Sequence, residues 1–590
     1  MAEKAIRIAN FSGYLGDRYT AVDEALAGDP VDVLVGDYLA EITLAALSAR
    51  HHHDPGLGYV QYFLDQFRPH LTTIAQRGIK VVTNAGGFNP AALAAVLREE
   101  IADAGADLSV AHIEGDNILS QVPDLQHAGH HFDNLDTGAP LASWQASPIA
   151  ANAYLGAWGI TAALEQGADI VVCGRVTDAS LTLGPAAWWH GWDRHDWDQL
   201  AGGVVAGHII ECGAHAVGGN FSGFTTLEKM LVPGFPIAEI ASDGSCVITK
   251  HAHDDGAVTV DTVTAQLVYE IQGPRYLNPD VTVHLENIRL AQVGPDRVQV
   301  RGALGFPPPA TTKVAMFGVL GYSLVNTVYV TGLDVAEKIS LLGAQLRRDA
   351  PEGVDIDLTP IGVVADDPES QWEATVAVRI MATAGSAEAL TRYQFARRVA
   401  SLYLQTIPGY FHDGGGVLDA TVKPRVDYWP GLLPMTEIDH RVVTADGRVL
   451  AIAPPLVTDL VNQPDDSTSE ATWARRPVRQ APLGALTYAR SGDKGGNSNV
   501  GIWTPHERVW PWLREYLTTD ELRRLMPETK DLDIVRHEFP HLRAVHFVLR
   551  GLLGTGGSSN LRIDQVGKAV GEYLRAKPVA IPEDLFTGGE

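Results

Sequence analysis

Polar residues follow the apolar segment Ile170–Val172 at a spacing that suits substrate binding. Gly174 lets a ligand approach the backbone, and Arg175 can hold a carboxylate or phosphate through two parallel hydrogen bonds. Asp178 has the chemistry of a general base, although it could instead cap a helix that starts near Ala179. We therefore expect a substrate clamp here; the alternative is a purely structural Arg–Asp pair.

An imidazole and two carboxylates stand at alternating positions after the apolar segment Leu108–Val110. If the strand extends this far, His112, Glu114 and Asp116 project together and could perform general acid–base catalysis. The alternatives are helix caps, buried salt bridges or a single hard metal ion. We predict no metal, because no second cluster of ligands has a matching spacing.

A turn with two glycines follows the apolar segment Ile79–Thr83. Asn84, Gly86 and Gly87 allow close approach of a ligand, and the helix that follows offers unpaired N–H groups at its N-terminus. This arrangement favours binding of an anion or a carbonyl oxygen. The alternative is a tight turn with no function, since paired glycines are common in short turns.

A further apolar run, Val205–Ile210, is predicted to be a strand, and Glu211 follows it directly. Glu211 and His215 would share one face if this segment were helical, but the glycines nearby favour a loop. Contact of Glu211 with a ligand and ordinary turn chemistry are both compatible with the pattern.

The most concentrated polar segment is Ala489–Val500, which we predict to be a loop between two apolar strands. It is not a Walker A sequence, but its backbone and basic side chains could hold an anion. The alternative is a glycine-rich hairpin with solvated charges. The candidate binding residues in it are Arg490, Ser491, Asp493, Lys494, Gly495 and Asn497.

Residues 1–245 must position most of these side chains, because short apolar strands alternate with helices there. Such an order predicts an α/β fold with a mostly parallel sheet covered on both faces, whose ligands bind beyond the carboxyl ends of the strands. One helix is clearly marked by Asn89 as N-cap, Pro90 at the first position and Gly105 at its end. The predicted strands are Ile6–Ile8, Val31–Val35, Ile79–Thr83, Leu108–His112, Ile170–Cys173 and Val205–Ile210.

The rest of the chain reads as α+β structure. Residues 246–455 include β-type alternation at Ala257–Leu267 and helical patterns later on, and they complete a domain that spans 1–455. Residues 456–482 have the polar composition of a linker. Residues 483–590 are predicted to form a small α+β domain with a helix at Gln565–Ala576.

Composition excludes several classes of function. The formal net charge is −26, so binding of nucleic acid or of an anionic membrane would need a basic run that the sequence lacks. An anionic substrate would need a locally positive pocket. Three dispersed cysteines, an N-terminus without the pattern of a secretion signal and no long apolar segment predict a cytoplasmic protein without membrane spans. Neither GxGxxG nor GxSxG is present, so we expect no redox cofactor and no serine-hydrolase elbow.

The motifs TNAGGFNP, HIEGD, CGRVTDAS and ECG, followed by YARSGDKGGNSNVGIW, resemble the acyclic terpene utilisation (AtuA) family. The resemblance covers nearly the whole chain, with a large AtuA domain to about residue 455 and a small ferredoxin-like domain from about residue 483. It implies a role in the breakdown of acyclic terpenes such as citronellol and geraniol, which runs through branched acyl-CoA thioesters. It supplies no set of catalytic residues.

Taken together, these features predict a lyase that hydrates, dehydrates or cleaves a branched or β-hydroxy acyl-CoA. Asp178 or Glu114 would be the base, His112 an acid or base, and Arg175 with the backbone around Gly86 an electrostatic clamp. Arg490 and Lys494 would bind CoA phosphates or a substrate carboxylate. We expect no tightly bound cofactor and a homo-oligomer. The alternative is a non-catalytic binding or scaffold subunit that supports an acyl-CoA carboxylase.

Overall fold

The computed structural model describes residues 4–348, 350–412, 417–464, 473 and 476–587. It contains two compact units. The first consists of Met1–Trp144, Pro148–Phe317 and Tyr428–Glu590, and the second of Gln145–Ser147 and Gly318–Asp427. All candidate site residues belong to the first unit. Among the helices described, none combines the length and the hydropathy needed to cross a membrane.

The elements from β1 to β14 come first along the chain; β14 begins in the first unit and ends in the second. The strands are β1 Ile6–Ser12, β2 Val33–Gly36, β3 Lys80–Thr83, β4 Val110–Glu114, β5 Pro148–Ala153, β6 Ile170–Val172, β7 Pro236–Ile240, β8 Cys246–Lys250, β9 Arg275–Leu277, β10 Thr282–His284, β11 Arg289–Gly294, β12 Arg297–Arg301, β13 Leu304–Phe306 and β14 Thr311–Thr331. The helices are α1 Ala21–Ala27, α2 Glu41–His53, α3 Gln61–Phe67, α4 Leu71–Arg77, α5 Pro90–Ala104, α6 Val122–His127, α7 Trp158–Glu165, α8 Ser180–His190, α9 Trp197–Ile210 and α10 Val260–Leu267.

The second unit contains the later part of β14 and an antiparallel sheet with its own apolar core. Its elements are α11 Val335–Arg348, β15 Asp355–Ile361, β16 Thr375–Ala384, α12 Arg397–Ser401, β17 Tyr410–Phe411 and the start of β18 Lys423–Pro434. The chain then returns to the first unit with β19 Arg441–Val443 and β20 Val449–Ala451.

An eleven-stranded sheet organises the first unit, in the order β11-β12-β8-β7-β1-β2-β3-β6-β4-β19-β20. Its five central strands, from β1 to β4 in that order, are parallel, and the flanking strands are antiparallel. The central strands are almost entirely buried and rich in valine and isoleucine, as expected for a sheet covered on both faces. The carboxyl ends of all five therefore open on one edge of the sheet.

The C-terminal part of the first unit is a four-stranded antiparallel sheet, β22-β23-β25-β24, with helices packed on it. Its elements are β21 Val478–Pro482, β22 Tyr488–Lys494, β23 Asn497–Trp503, α13 Trp510–Tyr516, α14 Thr519–Leu525, β24 Ile534–Phe539, β25 Ala544–Leu549, α15 Val570–Arg575 and β26 Pro578–Pro582. The predicted fold class, parallel α/β followed by α+β and a small ferredoxin-like domain, is confirmed. Of the linker predicted over 456–482, residues 465–472, 474 and 475 lie outside the described part, and β21 falls in its last five positions.

The helix predicted from its end signals is confirmed. Asn89 caps α5 by accepting a hydrogen bond from the backbone N–H of Ala92, Pro90 is its first residue, and Gly105 ends it in a left-handed conformation. The predicted helix Gln565–Ala576 is shorter, since it begins at Val570, after Asp564 has bound two backbone N–H groups of the preceding turn.

Three other predictions of secondary structure are wrong. Val205–Ile210 is the last part of helix α9, and Ala257–Leu267 contains helix α10, which Thr259 caps. Val205–Ile210 lies in a helix that is buried on every side, and Ala257–Leu267 alternates Val with Thr and Asp, so the hydrophobic period of neither segment distinguished helix from strand. The predicted loop Ala489–Val500 is instead the paired hairpin β22–β23, with its turn at Gly495.

Candidate functional site

Asp37 and Asn84 form the first part of the site, at the carboxyl ends of β2 and β3. The side-chain amide of Asn84 donates to Asp37 Oδ1 over 2.7 Å, and its oxygen accepts from the backbone N–H of Tyr38 over 2.8 Å. The N–H of Leu39 also donates to Asp37 Oδ1, over 3.0 Å. Both side chains are buried, so these hydrogen bonds hold the Asp37 carboxyl in one orientation.

The Asp37 carboxyl retains its proton at neutral pH. Burial and the negative charge of Asp178 together raise the pKa of Asp37 to about 8. The positive charge of Arg175 and the hydrogen bond from Asn84 act in the opposite direction but are weaker. A carboxyl group with a pKa near the working pH can serve as a general acid.

Arg175 lies at the carboxyl end of β6 and is only 2% exposed. Its guanidinium donates to the carbonyl oxygen of Leu39 over 2.6 Å, pairs with Asp178 at 2.8 Å and lies 4.0 Å from the centre of the Tyr154 ring. Asp178 does not cap α8, whose N-cap is Ala179 with no side-chain hydrogen bond. The predicted Arg–Asp pair is therefore real, and it is buried at the sheet edge.

Asp116 holds the backbone that carries Arg175. Its Oδ2 accepts from the N–H of Arg175 over 2.8 Å and from the side-chain amide of Asn152 over 2.7 Å. Burial raises the pKa of Asp116 to about 6, against the effect of these hydrogen bonds. A Cβ at Gly174 would lie 2.5 Å from Asp116 Oδ2, which explains the glycine there. Asp116 thus positions the site residues.

Glu211 reaches the same group of charges from the C-terminal end of α9. Burial raises its pKa well above the usual range, and the charge of Asp178 adds to this effect. Glu211 Oε1 lies 3.2 Å from His208 Nδ1, whereas Oε2 has no hydrogen-bond partner within the described chain. Burial also lowers the pKa of His208 to about 4, so its ring is neutral at pH 7.

The C-terminal hairpin brings further basic groups against the segment that follows α10. Arg490, Gly492 and Lys494 alternate along β22 and share one face of it. A Cβ at Gly492 would lie 2.4 Å from the Tyr269 ring, so only glycine allows this contact. Arg490 lies 4.4 Å from the centre of the same ring, and its guanidinium is 3.0 Å from His215 Nε2. These contacts hold Arg490 in place.

Lys494 differs from Arg490, because its ammonium forms no hydrogen bond or close ion pair with any side chain in the part of the chain that the structure describes. Burial and the like charge of Lys313 oppose the charge on Lys494. The neighbouring Tyr276, Glu41 and Glu270 outweigh them and raise the pKa of Lys494 above its usual range. A half-buried ammonium without a side-chain partner among the described residues is suited to hold an anionic ligand group.

Glu270 lies beside Lys494 in a strained backbone conformation. Its φ is 53°, in the left-handed region that residues other than glycine rarely adopt. When the Asn499 amide is oriented to satisfy its neighbours, its oxygen accepts from the Glu270 N–H over 2.7 Å. Glu270 Oε1 lies 3.2 Å from Lys568 Nζ, and Asp493 Oδ1 lies 3.7 Å from the same ammonium. Strain of this kind concentrates at functional sites.

The Glu270–Lys568 pair titrates close to neutral pH. Burial raises the pKa of Glu270 to about 7; Lys494 opposes this shift, whereas Glu41 and Asp178 add to it. Burial lowers the pKa of Lys568 to about 8, although 40% of its side chain remains exposed. The Glu270 side chain is itself 21% exposed, so both groups are within reach of water.

Glu41 and Lys313 complete the charged group beside Tyr154. Their side chains pair at 3.1 Å, and the Tyr154 hydroxyl donates to Glu41 over 3.3 Å. Burial acts against the charge of Glu41, but Lys313, Lys494 and Arg175 lower its pKa well below the usual range. Glu41 therefore stays ionised and compensates part of the positive charge.

His112 and Glu114 lie elsewhere. They share one face of β4 and contact each other at 3.1 Å, and Arg441 pairs with Glu114 at 3.2 Å. Burial lowers the pKa of His112, and its charged neighbours are Glu114 and Arg98 of α5. The structure therefore does not bring His112 or Glu114 together with the charges around Arg175.

Gly86 and Gly87 serve chain packing. A Cβ at Gly86 would lie 2.4 Å from the carbonyl oxygen of Cys173, and one at Gly87 would lie 2.3 Å from that of Gly58. The N–H groups of Gly87, Phe88 and Asn89 all donate to backbone carbonyl groups. This turn holds β3 close to β6, and these N–H groups are already used within the protein.

The remaining predicted residues of the hairpin support it. Ser491 accepts from the backbone N–H of Gly571 and donates to the Lys568 carbonyl, which orients the Lys568 segment. Asn497 donates to Asp136 over 2.6 Å. Gly495 has a φ of 64°, as the turn requires. Their direct contact with a substrate stays a prediction.

We call the following group of charged side chains the central cluster: Asp37, Glu41, Arg175, Asp178, Glu211, Glu270, Lys313, Arg490, Asp493, Lys494 and Lys568. The raised pKa values of its buried carboxyl groups reduce its negative charge, while Lys313 and Lys494 stay charged. The cluster is thus locally positive in an acidic protein. The described residues include no group of three or more His, Cys, Asp or Glu side chains that could hold a metal ion.

The sequence reasoning missed five members of the cluster: Asp37, Glu41, Glu270, Lys313 and Lys568. Asp37 could be identified from the sequence, because it directly follows the buried strand VLVG, and ligands of parallel sheets bind beyond the carboxyl ends of such strands. The others had no local signal, since each is brought in by packing of a distant segment.

The comparisons with known proteins agree with this architecture. Residues 6–444 match the acyclic terpene utilisation family protein AtuA, and residues 481–580 match the AtuA ferredoxin-like domain. No curated protein and no solved structure matches the chain significantly. The first match covers well over half of the sequence, and the chain therefore belongs to the AtuA family, which is implicated in acyclic terpene utilisation.

Proposed function

We propose that this protein is an enzyme that moves protons on an anionic branched acyl substrate, a CoA thioester of the acyclic terpenoid type. The proposed reaction is the hydration or dehydration of a β-hydroxy or unsaturated acyl group. The observation that carries this proposal is the position of Lys494, a half-buried ammonium that has no side-chain partner among the described residues and lies next to Glu270, whose pKa is about 7. The family supplies the context of acyclic terpene utilisation.

In the proposed dehydration, the substrate carbonyl oxygen or carboxylate lies at Lys494. Negative charge that develops on this oxygen during removal of the α-proton is stabilised by a fixed ammonium that has no competing partner. Arg175 adds to the positive potential, although it is already engaged by Asp178 and the Leu39 carbonyl. Lys494 therefore takes the role for which we proposed Arg175 and the backbone near Gly86.

Two carboxyl groups with different environments supply the acid and the base. Asp37, protonated at neutral pH, donates a proton to the β-hydroxyl, which leaves as water. Glu270 accepts the α-proton and passes it to solvent through Lys568. Hydration is the same sequence in reverse. Separated pKa values of this kind are typical of paired acids and bases in active sites.

The exposed part of Lys568 is the proposed contact for a phosphate of the CoA arm. Arg490 is less suited to this role, because its guanidinium is packed between His215 and the Tyr269 ring. Lys568 lies over the same ring at 4.4 Å and keeps 40% of its side chain in contact with water.

A direct test is to incubate the protein with 3-hydroxy-3-methylbutanoyl-CoA and longer branched homologues and to follow the unsaturated product by mass spectrometry. We expect Asp37→Asn and Glu270→Gln each to lower kcat by about 100-fold or more, since each removes a proton-transfer group. Asp103→Asn, at an exposed position of α5, is the matched control and should keep full activity. Absence of turnover in the wild type, or equal turnover in all variants, would favour the non-catalytic scaffold instead.

A further inference from the structure

A polar cavity lies next to the central cluster, beyond the segment Tyr154–Gly156. Tyr154 contacts Arg175 with its ring and also lines this cavity. The cavity has a volume of about 40 Å³, or about 400 Å³ when the open space at its mouth is counted. An adjoining cavity of about 400 Å³ shares Trp158, Arg194 and Asp280 with it. We call the two together the Arg194 cavity.

Arg194 is the only cation that lines either half of the Arg194 cavity, as far as the described residues show. Its guanidinium lies 4.8 Å from the centre of the Trp158 ring and donates one hydrogen bond, to the carbonyl oxygen of Ala453 over 2.9 Å. No ion pair within 4 Å joins it to a carboxylate in the described chain. Most of its five N–H donors are therefore free to bind a planar anion.

No carboxylate of the described residues pairs with Arg194 within 4 Å, although the charge of Asp280 acts on it. Asp280 Oδ2 accepts from the backbone N–H of Ala157 over 2.9 Å, and burial raises its pKa to about 6. His440 is neutral at pH 7, because burial lowers its pKa to about 3, and its Nε2 has no hydrogen-bond partner in the described structure. His440 thus contributes a neutral ring to the lining, and its Nε2 packs against Gly159, where a Cβ would lie 2.4 Å away.

Most of the rest of the lining is apolar, with Thr312 and His195 as further polar side chains. Trp158, Ile438, Ile452 and Met435 are joined by prolines of three loops: Pro279, Pro308 and the pair Pro454 and Pro455. A pocket with an apolar wall and a few convergent polar groups is typical of a small-molecule site. The mixture suits a ligand with one planar anionic end and a compact hydrocarbon body.

We propose that the Arg194 cavity binds a small branched carboxylate, with the carboxylate on the guanidinium of Arg194 and the hydrocarbon body against Trp158 and Ile438. This site is distinct from the central cluster, and the proposal does not depend on the proposed reaction. The Arg194 cavity would bind the free carboxylic acid, whereas the central cluster would bind the CoA thioester at Lys494.

The test uses ligand-observed NMR titration of 3-methylbutanoate and of its neutral isostere 3-methylbutanamide. We expect the wild type to bind the carboxylate about 10-fold more tightly than the amide, because a charge-assisted pair with Arg194 is lost in the amide. Arg194→Gln should remove this preference, and Arg194→Lys should keep part of it as a point charge. Lys494→Met, in the central cluster, should leave it unchanged.

Arg448→Gln, at an exposed position, is the matched control for the loss of an arginine and should bind as the wild type does. Thermal melting of each variant shows that it is folded. Equal binding of carboxylate and amide, no effect of Arg194→Gln, or loss of the preference in Lys494→Met would each overturn the proposal. The last result would assign the carboxylate to the central cluster.

Discussion

Gly492 lies directly against the ring of Tyr269, where a Cβ would come within 2.4 Å of Cε2. This contact lets the C-terminal hairpin pack on the segment after α10 and places Arg490 over the ring, 4.4 Å from its centre. Packing and charge together explain the spacing of the motif RSGDK. Gly492 stands at the point of contact, and the basic residues Arg490 and Lys494 stand two positions before and after it.

Gly492→Ala should therefore destabilise the protein by about 1–3 kcal/mol, because an added methyl group must displace the Tyr269 ring or the hairpin. The free energy of unfolding from denaturant titration measures the effect. Gly385→Ala is the matched control, since a Cβ there meets no atom within 4 Å. Equal stability of the two variants would contradict the close contact.

Asp37 should make the stability of the wild type depend on pH. Its pKa is about 8 in the folded protein and near 3.8 when unperturbed, so between these values the folded state binds more protons than the unfolded state. The stability that this group contributes is therefore present at low pH and is lost as the pH rises from about 4 to about 8.

Asp37→Asn removes this titration and keeps an oxygen for the hydrogen bonds from Asn84 and Leu39. The stability of the variant relative to the wild type should rise by an amount on the order of a few kcal/mol across this range of pH. Denaturant unfolding at several pH values measures the difference. A difference that does not change with pH would show that Asp37 is ionised in the folded state.

Lys568 should be unusually reactive towards acylating reagents. Burial lowers its pKa to about 8, whereas exposed lysines titrate near 10.4. Competitive labelling with acetic anhydride, read by peptide mass spectrometry at a series of pH values, should give a midpoint near 8 for Lys568. Lys530, which is 75% exposed, is the internal control for labelling of an accessible lysine. Identical profiles would contradict the shift.

Removal of Arg175 should be more harmful than removal of its whole ion pair. Arg175→Met leaves Asp178 and its carboxyl neighbours without a buried counter-ion, and we expect a loss of about 3–5 kcal/mol in the free energy of unfolding. The double variant Arg175→Met with Asp178→Asn should be less destabilised than the single variant. A double-mutant cycle measures the coupling, and strict additivity would contradict a direct interaction.

The sequence located much of the site through a rule about parallel sheets. Asn84, Asp116, Arg175 and Asp178 all follow central strands and do meet at one edge of the sheet. His112 and Glu114 satisfy the same rule but stay within β4, with their side chains turned towards Arg98 and Arg441. The direction in which a strand side chain projects depends on where the strand ends, and the sequence leaves that end uncertain by several residues.

Other parts of the site could not be predicted, for physical reasons. Glu270 enters the cluster because its backbone adopts a left-handed conformation, which no local pattern announces for a glutamate. Lys313 and Lys568 arrive from β14 and from the turn before α15, and only tertiary packing brings them near Lys494. The sequence predicts Glu211 as a ligand contact because it follows a predicted strand, but the residues before it form helix α9.

The most direct test of the central cluster as a site for anionic acyl groups is the dissociation constant of 3-hydroxy-3-methylbutanoyl-CoA, measured by isothermal titration calorimetry. Lys494→Met should weaken binding by at least about 10-fold, while Lys530→Met, at an exposed position, should have no effect. Equal affinity of the wild type and Lys494→Met would show that the Lys494 ammonium does not hold the ligand, and it would contradict the central cluster as a site for anionic acyl groups.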